Sequence, residues 1–333
     1  MASALVAISG GVDSSVALHR SLQLFDSVRA CHIDTGKGCP PEAAAVASFL
    51  RVDLHQIDGE DAFLKEVVEP SREMLLLGRT PNPCALCNSR VKLAQAHEIL
   101  AADEVLVTGH YAVHKGDGHL ERGVDPSKDQ SYFLSMVPLD IIRRCHFPLG
   151  NSLKEDVKRE AARSGLPCKS SESMDLCFDL NPGSLLGSPG DIIDISGAVV
   201  GRHSGLGGYT VGQRKRIGAH GRKLFVIALL AETGRVVIGP EEHLYSRGCT
   251  LEGMNWFERP GIDSFEGLIS VRYRRRACPA RFDLSDNGVE VRFHSPEKAV
   301  APGQVGALYV GSRLIGGGLI TGVEKMGGSE FVR

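Results

Sequence analysis

The run Ala4-Leu5-Val6-Ala7-Ile8-Ser9-Gly10-Gly11-Val12-Asp13-Ser14-Ser15 decides how the chain folds. Ala4 to Ile8 is an apolar stretch of strand length, and Val16 to Phe25 repeats with a helical period. A strand that enters a glycine turn and leaves as a helix makes a phosphate cradle. Glycine admits close approach, and the free amides of the first helical turn point at the anion. No Lys-Ser/Thr pair follows the glycines, which separates this loop from that of kinases and GTPases. The residues from Ala7 to Ser15 are expected to bind a nucleotide.

Outward from this loop, strands and helices alternate. Val28 to Asp34, Leu54 to Ile57 and Glu104 to Thr108 read as strands. Glu42 to Leu50 reads as a helix, and Asp61 to Leu77 as a longer one interrupted near Pro70. The pattern predicts an α/β domain built on a mostly parallel sheet. Ligands of such sheets gather at the carboxyl ends of the strands, so Ile33 and Gly109 are expected to wall the nucleotide site. His110, next to Gly109, fits either a functional or a structural role.

A second stretch carries different chemistry: Thr80-Pro81-Asn82-Pro83-Cys84-Ala85-Leu86-Cys87-Asn88. The two prolines hold the approach extended, and after Pro83 the pattern turns helical, with Val91, Ala94, Ile99 and Leu100 expected to be buried. Cys84 and Cys87 are three residues apart, so in one helical turn their sulfurs share a face. A helix N-terminus favours the thiolate. A structural zinc half-site or two packed thiols fit the same spacing.

The totals fit a soluble globular protein of two or three domains: 333 residues, 42% apolar and 23% charged. No apolar run approaches membrane-spanning length, and the first strand begins too early to leave room for a signal or transit peptide. With nine cysteines, these features predict a reducing, cytoplasmic setting and no membrane partner. The net charge of −2 hides a basic segment: Ser196 to Ala231 contains no acidic residue but includes Arg202, Arg214, Lys215, Arg216, Arg222 and Lys223. A second basic run is Arg272-Tyr273-Arg274-Arg275-Arg276. Both fit solvated surface, and together they point to a polyanionic partner. Ser152 to Ser164 reads as a helix capped by Ser152 with Glu155 in a capping box. Beyond Asn181 glycines and short strands take over, first at Asp191 to Ile195, Leu224 to Leu230 and Val236 to Ile238. Five more follow, Leu268 to Tyr273, Ala280 to Leu284, Val289 to Phe293, Ala307 to Val310 and Leu314 to Ile320, the pattern of a β-barrel.

Ser9 to Ser15 closely resembles the signature of the PP-loop ATP pyrophosphatases, which split ATP between the α and β phosphates. The chain as a whole resembles the MnmA-type tRNA-specific 2-thiouridylases. The shared pieces run in order through Gly78 to Pro83, Leu86 to Asn88, Thr108 to Tyr111, Lys128 to Leu134, Phe147 to Gly150 and Cys177-Phe178. They continue through Tyr209 to Lys215, Arg272-Tyr273 and Pro302 to Gln304. The resemblance implies three domains: a PP-loop catalytic domain over 1–181, a central tRNA-binding β domain over 182–247 and a C-terminal β-barrel over 248–333. It implies ATP with Mg2+ as cofactor, tRNA as partner, and a sulfur donor, either a persulfide carrier or sulfide. Sulfur would replace the C2 oxygen of the anticodon wobble uridine after adenylylation has made that oxygen a leaving group. Carried over by position, Cys87 is the nucleophile and Cys177 the persulfide carrier, while Asn82 and Pro83 meet the target base. His110, Lys128, Asp129, Gln130, Arg272, Tyr273 and Gln304 then touch tRNA.

This chain departs from the family where it has Cys84, since many members carry aspartate there. The connections around Thr35 to Pro41 and Asn181 to Pro189 also look shorter than usual. Cys84, Cys87 and Cys177 form a set of three thiols. Three thiolates suit a 4Fe–4S cluster with one open iron, as in related PP-loop tRNA thiolation enzymes. A persulfide on Cys177 released by Cys87, ending as a disulfide, needs only two of them. Zinc would need a fourth ligand. Other functions compatible with the loop are a PP-loop amide-forming ligase, thiolation of another RNA, and a non-catalytic RNA-binding relative. The intact loop argues against the last.

Overall fold

The computed structural model describes residues 2–169 and 187–326. At its centre is β1 (Ser3–Ala7), whose Ala4, Leu5 and Val6 have no exposed surface. It pairs in parallel with β2 (Ser27–Asp34) and β4 (Glu104–Val107), and β3 (Leu54–Asp58) and β7 (Cys145–His146) complete the order β3-β2-β1-β4-β7. The order reverses beside β1, so the loop after β1 lies at the switch point where doubly wound sheets hold their ligands. That loop leads into α1 (Val12–Leu24), and α2 (Pro41–Leu50) follows β2.

The interruption expected near Pro70 is a π turn. α3 (Glu60–Phe63) and α4 (Glu69–Leu76) are joined by Leu64–Val68, and the Glu69 amide donates to the Leu64 carbonyl five residues back. Pro70 has no amide to donate, so the ladder adjusts just before it. A second π turn, Asn88–Lys92, separates α5 (Pro83–Cys87) from α6 (Leu93–Glu98). This turn moves the buried face. Val91 is buried as expected, but Leu93 and Ala96 take the inner positions, while Ala94 and Leu100 are half-buried and Ile99 is exposed.

The hairpin β5 (Ala112–His114) and β6 (Leu120–Arg122) is followed by the short helices α7 (Ser131–Leu134) and α8 (Leu139–Arg143), then α9 (Lys154–Arg163). Ser152 does not cap α9. Its hydroxyl accepts from the Arg20 guanidinium at 2.8 Å, and the Lys154 amide donates to Asp125 Oδ2 at 2.9 Å. Arg20, which donates from Nε and Nη2 to the Glu160 carboxylate, claims the hydroxyl that local geometry reserves for a cap.

A four-stranded sheet follows, ordered β10-β11-β8-β9 from β8 (Gly190–Asp194), β9 (Val199–His203), β10 (Phe225–Leu230) and β11 (Arg235–Gly239). β9 was not among the expected strands. It is an edge strand with Val199 and Val200 exposed, and it lacks the alternation that reveals a half-buried strand. The last body is an antiparallel barrel of β12 (Tyr245–Trp256), β13 (Ser264–Ser270), β14 (Cys278–Ser285), β15 (Gly288–Lys298), β16 (Val305–Val310) and β17 (Arg313–Lys325), closed by β12 on β17. β13 ends before Val271, so Arg272 and Tyr273 lie in the turn beyond it, where a strand had been expected. The hairpin β5–β6 extends the barrel sheet, with Leu120 opposite Leu314 and Glu121 opposite Arg313.

Candidate active site

The nucleotide loop is tied by its own hydroxyls. Ser14 Oγ donates to the Gly11 carbonyl and accepts from the Ser9 amide at 3.1 Å, and Ser15 Oγ donates to the Gly11 carbonyl at 2.9 Å. Gly10 has φ +77°, and a Cβ there would lie 2.7 Å from the Ala43 amide nitrogen, so α2 packs directly on the turn. At Gly109 a Cβ would lie 2.9 Å from the Ser14 nitrogen, so the end of β4 lies against the first turn of α1. Ile33, 7 % exposed, backs the same strand ends. Gly109 and the turn from Ser9 to Ser15 are thus packed together, while Ile33 lies in the core beneath the sheet with Leu5 and Cys87.

One residue of this site was missed from sequence. Lys154, 5 % exposed, puts its Nζ 2.7 Å from both carboxylate oxygens of Asp13, and Tyr111 donates its hydroxyl to Asp13 Oδ1 at 2.8 Å. A lysine at the start of a charged helix reads as solvated surface. The signal that could have found it is its position just after the Phe147 to Gly150 match.

The cysteine turn is built by its cap. Asn82 precedes α5, its Oδ1 accepts from the Ala85 amide at 3.1 Å, and Pro83 occupies the first helical position. Asn82 Nδ2 donates to the Tyr132 hydroxyl at 3.0 Å, which in turn donates to the Val305 carbonyl. Cys87 is 3 % exposed, inside the core that also holds Leu5, Ile33 and Tyr132, and Cys84 is half-buried. Behind Asn82, the Thr80 amide donates to the Pro302 carbonyl at 2.7 Å. Gln304 Nε2 donates to the carbonyls of Thr80 and Pro81 at 3.1 and 2.9 Å.

Arg272 and Tyr273 approach the same place from the barrel. The Tyr273 ring lies 4.3 Å from Phe133 and 6.4 Å from Tyr132 between centroids. Burial raises the Tyr132 hydroxyl pKa, Arg272 pulls it back and Cys84 adds to the rise, so all three belong to one electrostatic neighbourhood. Burial, then Arg275, lowers the pKa of Arg272. His110 Nδ1 lies 2.7 Å from Thr108 Oγ1, its ring is edge-on to Phe147, and burial with Lys92 nearby pushes its pKa down to about 4. Asp129 accepts from the Gly123 and Ser131 amides, and Gln130 accepts from the Tyr111 amide, so both shape the loop that carries Lys128. Arg274, Arg275 and Arg276 are exposed, as are Arg214, Lys215, Arg216, Arg222 and Lys223 in the central body.

Three family profiles cover the chain: "tRNA methyl transferase HUP domain" over residues 2–180, "tRNA methyl transferase PRC-barrel domain" over 184–240 and "Aminomethyltransferase beta-barrel domain" over 246–320. Among curated proteins, the chain is 39% identical to a tRNA-specific 2-thiouridylase MnmA from Nitratidesulfovibrio vulgaris, over 95% of this chain and 98% of that one. Relatives of the same name from Geobacter metallireducens and Sorangium cellulosum are 35% and 38% identical, covering 95% of this chain and 96% and 91% of theirs. The chain belongs to the MnmA family of tRNA-specific 2-thiouridylases.

For an MnmA-family chain the thiols are the central question. Cys177 lies outside the described residues; Lys169, the last described residue before that segment, donates its amide to the Gly10 carbonyl of the nucleotide loop. Among the described residues, no three His, Cys, Asp or Glu side chains form a metal-binding group. The described part of the thiol set is Cys84 and Cys87, an i, i+3 pair in one turn. Such a pair fits two corners of a thiolate-bound cluster. No helix among the described residues is long and apolar enough to cross a membrane.

Proposed function

We propose that this chain uses ATP, with Mg2+, to thiolate C2 of the anticodon wobble uridine of tRNA. The observation that carries this reading is the cysteine turn itself. Asn82 caps a turn bearing Cys84 and Cys87, beside Arg272 and Tyr273, in the domain whose strand ends hold the nucleotide loop. The uracil O2 attacks the α-phosphorus of ATP and pyrophosphate leaves. A sulfur nucleophile then adds to C2, and AMP departs with the former uracil oxygen.

The residues divide this work. The loop from Ser9 to Ser15, braced by its own hydroxyls and with Gly109 against it, holds the phosphates through the free amides of the first turn of α1. Lys154 and Tyr111 fix the carboxylate of Asp13 at its edge. By the family resemblance Asn82 and Pro83 would meet the base, and Arg272, Tyr273, His110 and the Lys128 loop would receive the surrounding RNA, with basic groups on phosphates and the extruded base supplying specificity. Cys84, Cys87 and Cys177 would hold a 4Fe–4S cluster, which would supply sulfide-derived sulfur at an open iron.

Protein purified without oxygen is expected to be brown, with iron and acid-labile sulfide in near-equal amounts, and Cys84→Asp is expected to lose iron and activity together. Iron-free protein that thiolates tRNA from a persulfide donor would instead assign the chemistry to a persulfide on Cys177 and a Cys87 disulfide. Nucleoside mass spectrometry of RNA from cells lacking the protein tests the reaction itself. An unchanged 2-thiouridine level there sinks the reading and turns attention to another RNA or to amide ligation.

A further inference from the structure

We infer that Gln304 is a positioning residue for the cysteine turn, acting from the barrel on the backbone that precedes the thiols. This deepens the proposed thiolation and rests on it. Gln304 is 9 % exposed, and its side-chain nitrogen is committed to two carbonyls, those of Thr80 and Pro81. Its neighbours grip the same two residues. The Pro302 carbonyl accepts from the Thr80 amide, and Gly303, at φ +91°, approaches so closely that a Cβ would lie 2.8 Å from the Thr80 oxygen. Val305 completes the grip by accepting from Tyr132, which holds Asn82 Nδ2. Four consecutive barrel residues thus fix residues 80, 81 and 82.

The consequence follows from the polarity of the groups. Pro81 and Pro83 have no amides, so the approach has few bonds of its own to hold it. Its carbonyls need external donors, and Gln304 supplies both with one nitrogen. If that donor is lost, Asn82 is freed from its cap position, and the turn that presents Cys84 and Cys87 frays. A residue whose role was to contact tRNA would leave this turn unchanged when replaced.

The test uses full-length protein, unmodified tRNA transcript and iodoacetamide. Gln304→Met keeps the side-chain length without the donor, and Gln304→Glu turns an acceptor toward the two carbonyls. Each is expected to raise the alkylation rate of Cys84 in tRNA-free protein about tenfold and to lower kcat by a similar factor, with tRNA Kd within about twofold of wild type. Tyr132→Phe cuts the same grip at its other end and is expected to reproduce the alkylation change. Wild-type alkylation rates in both Gln304→Met and Tyr132→Phe overturn the inference, as does a Gln304→Met whose only change is weaker tRNA binding. The alkylation readout needs no thiolation. Wild-type protein that fails to thiolate tRNA would therefore overturn the proposed reaction without deciding the role of Gln304.

Discussion

Lys154 and Asp13 form the tightest charged contact beside the nucleotide loop. The ammonium is almost wholly enclosed, while the Asp13 side chain is 35% exposed, so the pair sits at the boundary between core and site. Replacing Lys154 with Met leaves the Asp13 carboxylate without its cation, with the Tyr111 hydroxyl still donating to it. We expect a loss of about 2 kcal/mol in stability, below the cost of breaking a fully buried pair because Asp13 reaches solvent. ATP-dependent pyrophosphate release is expected to fall further than that loss explains, measured by a coupled phosphate assay against urea melts. His110 gives a pH signature. Its folded pKa, near 4, lies below its unfolded value near 6.5, so the unfolded chain takes up the proton first as pH falls. Stability should be unaffected by this group above pH 6.5 and should decline below it, by at most about 1.4 kcal/mol per pH unit, until pH nears 4. Urea titrations of Gln-substituted protein, His110→Gln, should show a flatter acid limb, and equal slopes would contradict the assignment. The glycine turn at Gly10 and the helix start after Pro83 were legible in the sequence because their geometry is local. Lys154 and Gln304 were not read for what they do, because their partners lie 141 and more than 200 positions away.

At the scale of elements, the two π turns are the clearest departure from a regular period. Each inserts one residue into a helix, and the turn at Asn88–Lys92 displaces the buried face so that Leu93 and Ala96 replace Ala94 and Leu100. A 3.6-residue pattern has no way to announce such an insertion. Ser89 fills part of the resulting gap in the ladder, donating its hydroxyl to the Ala85 carbonyl at 2.9 Å. Close approach is the other device at this scale. Gly109→Ala would drive a methyl group into the first turn of α1, against Asp13 and Ser14, with no positive φ involved. It is expected to weaken ATP binding by about tenfold while leaving tRNA affinity near wild type. Calorimetric titration of each ligand checks this, and equal weakening of both would point to a general loss of structure.

The nucleotide-binding body and the barrel share one hydrophobic core. The core that contains Leu5 and Cys87 also contains Val305, Ala307, Tyr309 and Leu314 of the barrel. Asn255 of β12 donates to the carbonyls of Ser135 and Val137, and at Gly317 of β17 a Cβ would lie 2.7 Å from Ser135. We therefore expect the nucleotide-binding body and the barrel to unfold in a single calorimetric transition, and hydrogen exchange to protect β1 and β17 equally. Two separated transitions for those bodies would contradict this. The broad order of bodies was legible from the change in texture beyond Asn181, but the sharing of one core was not. Pairing between residue 120 and residue 314 leaves no local trace. That long-range pairing also orders events during synthesis. The glycine loop and its sheet neighbours emerge early, whereas the residues that clamp Thr80 to Asn82 emerge more than 200 positions after the segment they hold. A nascent chain therefore forms its glycine cradle before the clamp that finishes its thiol turn can be made.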